Sequence, residues 1–68
     1  MAFRIIEHTI SSFGGFKRPL ETNVIEFCDK LRADRRVSWL RRELGAENIA
    51  LRPVRGQLAV AEVFVRVD

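Results

Sequence analysis

The sequence contains one cysteine, one histidine, one methionine and no tyrosine, and each shortage closes off a class of protein. Cys28 has no second cysteine to pair with, so the disulfides on which many small domains depend are excluded. One cysteine and one histidine fall short of the four ligands a structural zinc site draws on, and no metal or cofactor is expected. Phosphate-binding glycine signatures are absent too: Gly14-Gly15 belongs neither to a Gly-x-Gly-x-x-Gly run nor to one ending in Gly-Lys-Ser/Thr. The carboxylates are scattered, without a pair in a catalytic context. His8 and Cys28 make a base and a nucleophile only if the fold joins them, and Cys28 is expected to face inward as a small hydrophobe. The chain therefore reads as a non-enzyme without a small-molecule substrate.

No apolar run approaches the roughly 20 residues needed to span a bilayer, so no membrane partner is expected. The first residues, Met1 to His8, lack the charged start and apolar core of a signal peptide. A free thiol and no export signal point to the cytoplasm.

The chain has 68 residues, read as a single domain over 1–68, with 47% hydrophobic residues. A chain of this size hides only about 60% of the surface its unfolded form exposes. Twelve basic residues stand against nine acidic ones, for a net charge of +3, and the pI is near 10.0. Ten of the basic residues are arginines. A guanidinium grips phosphate or carboxylate through two parallel hydrogen bonds; a GC-rich genome produces the same bias through codon usage.

The segment Leu58–Val67 organises the fold. At period two, Ala59, Ala61, Val63, Val65 and Val67 share one side, and Leu58, Val60, Glu62, Phe64 and Arg66 the other. Branched side chains fit an extended backbone, so a long central strand is expected, its apolar side under a helix. Phe3–Ile10 reads as a first strand, with His8 packed or capped. Residues 11–20 form a loop with Pro19 after the adjacent glycines. Phe13 and Phe16 either close the end of the core or, with Lys17 and Arg18, stack a base and hold its phosphate. Asn48–Val54 reads as a short edge strand because Pro53 cannot donate to a ladder, and Arg55-Gly56-Gln57 turns it back into the last strand.

Between these strands, residues 22–44 carry a helical pattern. Asn23 and Glu26 have capping-box spacing, and Gly45 is a natural stop with Arg41 and Arg42 in the last turn. Val24, Phe27, Cys28 and Leu31 form one stripe, and Ala33, Val37, Leu40 and Leu44 form another on roughly the opposite side. Two solutions are open. The helix breaks near residues 33–36, with Asp34 or Ser38 capping a second piece, or it stays continuous and offers its second stripe to a partner. The fold class is α+β in the order β-α-β-β: a three-stranded, largely antiparallel sheet covered on one face by one long or broken helix.

Function is sought in the arginine cluster Arg32, Arg35, Arg36, Arg41 and Arg42, joined by Lys17, Arg18 and Trp39. Such a cluster neutralises phosphates, and Trp39 adds a stacking surface if it is exposed. The interleaved Asp29, Asp34 and Glu43 also allow a merely solvated, internally paired face. Three readings follow: a small binding module for nucleic acid or a nucleic-acid-handling protein, a phage- or mobile-element-type inhibitor or accessory subunit acting on a protein, and a homo-oligomeric structural protein. A homodimer is expected through Val37, Leu40 and Leu44, with Trp39 at the margin.

Overall fold

Two hairpins and one long-range strand pairing define the architecture. The computed structural model describes residues 2–15 and 17–67. In chain order it has strands β1 (Phe3–Ile10) and β2 (Glu21–Phe27), helix α1 (Lys30–Leu44), and strands β3 (Ile49–Pro53) and β4 (Val60–Arg66), with short 3-10 turns at Phe13–Gly15 and Ala46–Asn48. The four strands lie in the order β2-β1-β4-β3. Each hairpin is antiparallel, and the first and last strands pair in parallel at the centre. Among the described residues no helix is long and apolar enough to cross a membrane.

The α+β class and the central C-terminal strand agree with the sequence reading, but the expected three-stranded, largely antiparallel sheet is corrected. A fourth strand, β2, occupies residues read as the start of the helix. Thr22, Val24 and Ile25 are β-branched and Phe27 is aromatic, side chains that suit a pleated surface. Ile6 meets Val24 and Ile5 meets Ile25 across the pair, the cross-strand contacts that stabilise a sheet. The two conflicting stripes therefore belong to two different elements. Val24 and Phe27 sit on a strand, and the chain changes geometry at Cys28-Asp29 rather than near residues 33–36. Asn23 and Glu26 form no capping box, and neither Asp34 nor Ser38 starts a second helix. Asp29 is the cap: its backbone is extended and its carboxylate accepts from the Arg32 N–H at 2.9 Å. Gly45, at φ 91°, closes the other end, its N–H donating to Arg41 O, a backbone region that favours glycine.

The core lies between α1 and the sheet. Ile5, Ala33, Val37, Leu40, Ile49, Val63 and Val65 form one buried cluster, with Phe3 and Phe27 packed against it. Burying each large aliphatic side chain contributes roughly 1.5–3 kcal/mol. Val63 and Val65 thus sit beneath Ala33, Val37 and Leu40, the second stripe of the sequence reading rather than the first. This removes the ground for a subunit interface there. Val37 and Leu40 are 5% and 4% exposed, covered by the chain's own sheet, and Leu44 is half-exposed at the helix end. Cys28, expected inside, is exposed, because it belongs to the turn after β2 and to no apolar stripe. Phe13 is half-buried beneath the Arg66 guanidinium, 5.0 Å from its ring centre, while Phe16 lies outside the described residues.

Candidate functional site

The cap at Asp29 and the burial of Ala33, Val37 and Leu40 fix which helix face looks outward. At about 100° per residue, Leu31, Arg35, Ser38 and Arg42 lie opposite the buried stripe, with Trp39 on the shoulder of that outer face. Asp34 and Glu43, the two carboxylates within α1, fall on its opposite flanks. The outer stripe of Arg35, Ser38 and Arg42 therefore carries no carboxylate. Trp39, 42% exposed, has the Arg36 guanidinium 4.9 Å from its ring centre, a cation–π contact that steadies both side chains.

The five clustered arginines divide into two groups. Arg36 is tied inward: its Nε and Nη2 donate to the two Glu7 carboxylate oxygens at 3.1 and 3.2 Å, a bidentate bond to β1 that anchors the helix on the sheet. Arg32 stays at the helix start, 3.7 Å from the capping Asp29. Arg35, Arg41 and Arg42 are exposed and form no ion pair among the described residues. Lys17 and Arg18 are exposed in the loop between β1 and β2. A relay of contacts puts that loop at the same end of the sheet as the helix C-terminus. Asn48 Nδ2 donates to Leu44 O, Arg66 donates to Asn48 Oδ1, and the Arg66 guanidinium lies over Phe13.

The sheet face turned away from α1 holds a second group of polar side chains, which sequence reasoning did not assemble. His8 Nδ1 and Thr22 Oγ1 are 3.0 Å apart, and His8 Nε2 meets Glu62 Oε2 at 2.8 Å. Arg52 donates from Nε and Nη2 to Glu62 Oε1, at 3.2 and 2.9 Å. Below this polar layer, Phe64 is 2% exposed, with the His8 ring stacked at 4.8 Å and the Arg52 guanidinium at 4.9 Å. The ring is thus covered and offers no stacking surface to a base. Burial pushes the Glu62 carboxyl upward, but its bonds to Arg52 and His8 outweigh that and hold it below its ordinary value. The signal available in the sequence was the alternation that puts Glu62, Phe64 and Arg66 on the mixed side of the last strand.

Hydroxyl, imidazole and carboxylate follow one another here as in a proton relay, yet they lie across three neighbouring strands on an open sheet face. Two hollows of the described surface are lined by other residues. One is an opening by Ala2, Arg4, Glu26 and Val60, and the other is a groove of about 330 Å³ beside the helix, walled by Ile5, Val37, Leu51 and Leu58. The arrangement fits a clasp that joins β2, β1, β4 and β3 edge to edge. Among the described residues no group of three or more His, Cys, Asp or Glu side chains is arranged to hold a metal ion. Comparison with known proteins matches the chain to no family model, no curated protein and no solved structure.

Proposed function

We propose that this chain is a non-enzymatic binding module that grips the phosphate backbone of a nucleic acid with the outer face of α1. The observation that carries the reading is the stripe of Arg35 and Arg42, with Trp39 on its shoulder, uninterrupted by a carboxylate and free of ion pairs among the described residues; the exposed Arg41 stands on the Asp34 flank. Guanidinium groups so placed neutralise phosphates and release counterions. Trp39, 42% exposed, adds an aromatic ring of the kind on whose face an unpaired base stacks. Lys17 and Arg18 are exposed at the same end of the sheet as the helix C-terminus and form a separate basic site. Phosphate contacts of this kind position a partner without reading its sequence, so affinity without strong sequence preference is expected.

A second reading has an observation of its own. Leu31 is exposed on the same outer face, an apolar side chain that a phosphate backbone leaves unused, and the tryptophan and arginines beside it are the residue types enriched at protein-interface hot spots. The partner in that case is an acidic surface of a nucleic-acid-handling protein, bound by the same residues in an inhibitory or accessory role.

The test is fluorescence anisotropy with a duplex DNA and a single-stranded RNA at two salt concentrations. It compares the native chain with the triple variant Arg35→Gln, Arg41→Gln, Arg42→Gln. The native chain should bind with steep salt dependence. The variant, keeping Arg32 and Arg36 and so its fold, should bind more weakly on every sequence, with a log–log salt slope shallower by about 2–3. An affinity untouched by the triple substitution removes α1 from the binding surface. Absence of any salt-dependent binding to either polymer transfers the helix face to a protein partner.

A further inference from the structure

The two edges of the sheet are not equally protected, and backbone geometry shows which one is open. Successive residues of a strand turn their N–H and C=O groups to alternate sides. Arg4 N–H donates to Ala59 O at 2.9 Å and Val67 N–H to Ile10 O at 2.9 Å. The even-numbered residues of β1 therefore face β4, and Phe3, Ile5, Glu7 and Thr9 face β2. The Leu20 N–H, donating to Thr9 O at 2.7 Å, agrees. Phe3 pairs with Phe27, Ile5 with Ile25 and Glu7 with Asn23, so these β2 residues spend their backbone groups on β1. Thr22, Val24 and Glu26 direct theirs outward, where the sheet ends.

The opposite edge is blunted. Ala59, Ala61, Val63 and Val65 serve β1, so Glu62 and Phe64 serve β3, where they pair with Arg52 and Ala50. This leaves Ile49, Leu51 and Pro53 facing outward. The Ile49 N–H is already taken by Ala46 O, and Pro53 has no N–H, so Leu51 alone offers a donor there. Edge strands usually carry such protection, from proline, lysine or a bulge. β2 has no proline, lysine or glycine. Its two charges are partly held within the chain, Glu26 by Arg4 at 3.5 Å and Glu21 by Asn23 at 3.0 Å. Val24, at the middle of the edge, is 60% exposed.

We infer that β2 pairs with β2 of a second copy of this chain, antiparallel and centred on Val24, fusing two sheets into one of eight strands. The occupant is argued from self-complementarity. The outward residues are symmetric about Val24, so a two-fold axis there opposes Val24 to Val24 and Thr22 to Glu26 in mutually bonded pairs. All three outward residues are satisfied in each copy, and no carboxylate faces another. A shift of two residues in either direction leaves part of the edge unpaired. The contact is isologous, as a two-fold dimer requires, and its small size makes it reversible and dependent on concentration. This inference does not rest on nucleic-acid binding: the contact uses the backbone edge of β2 and none of the α1 arginines.

The test is sedimentation across a concentration series reaching the high micromolar range, on the native chain, Val24→Pro and Val24→Lys. The Val24 N–H points away from β1, so proline there spares the intramolecular ladder while deleting both donors at the two-fold axis. Dimerisation should weaken by at least about tenfold, with an unchanged circular dichroism spectrum. Val24→Lys keeps the donor but sets two ammonium groups against each other and should weaken it as well. A native chain that stays monomeric throughout overturns the inference. So does a dimer that persists in the folded variants; if Val24→Pro does not fold, Val24→Lys decides alone.

Discussion

Glu62 and His8 meet at 2.8 Å although 54 positions separate them in sequence, and the same carboxylate also accepts from Arg52. This contact predicts how stability responds to acid. The Glu62 carboxyl is held below its ordinary value of 4.5, so its stabilising contribution is fully present above that value and is lost as pH falls through the lowered one. Glu62→Gln removes the contribution. Urea unfolding should find the variant less stable than the native chain at neutral pH, and the gap should narrow as pH falls below about 4.5. A gap of constant size down to pH 3 would contradict the assignment.

Arg36 and Arg35 are adjacent in sequence but do different things. Arg36 holds Glu7, whose side chain is largely buried, so Arg36→Gln leaves that carboxylate without its bidentate partner and should cost on the order of 2 kcal/mol. Arg35→Gln touches nothing inside the molecule and should change stability by less than about 0.5 kcal/mol. Denaturant melts of the two variants side by side check the division between anchoring and outward arginines. Equal effects would show that it is misplaced.

The helix start is testable at single residues. Asp29→Ala removes the acceptor for the Arg32 N–H and should destabilise the fold by about 1 kcal/mol, a fall in Tm of roughly 4–8 °C for a domain of this size. Asn23→Ala, on the exposed strand β2, should be close to neutral. The reverse ranking in thermal melts would restore a helix that begins before residue 24.

Much of the architecture could be read from residue patterns because its strands alternate cleanly. Val63 and Val65 announce a buried face, Pro53 confines β3 to an edge, and Gly45 ends the helix. The stretch from Thr22 to Cys28 misleads for a physical reason. Val24, Phe27, Cys28 and Leu31 recur at intervals of three and four, a helical rhythm, while the strand character of Thr22, Val24 and Ile25 shows itself only against β1. The conflict between the two stripes was itself the sign of two elements. At the candidate site, the outward position of Arg35 and Arg42 follows from periodicity alone. The recruitment of Arg36 by Glu7 and the clasp around His8 depend on which strands become neighbours, and no local pattern carries that information.

The parallel pairing of β1 with β4 also sets how the chain must fold. Each hairpin closes a short loop, but neither contains both central strands, and the core between α1 and the sheet is incomplete until they meet. The costly step is bringing Arg4 beside Val60, a closure of nearly the whole chain whose entropy must be lost before any burial compensates for it. Folding should therefore be cooperative and slower than in a helical protein of equal length. Its rate-limiting ensemble should already hold the two ends of the chain together around Val63.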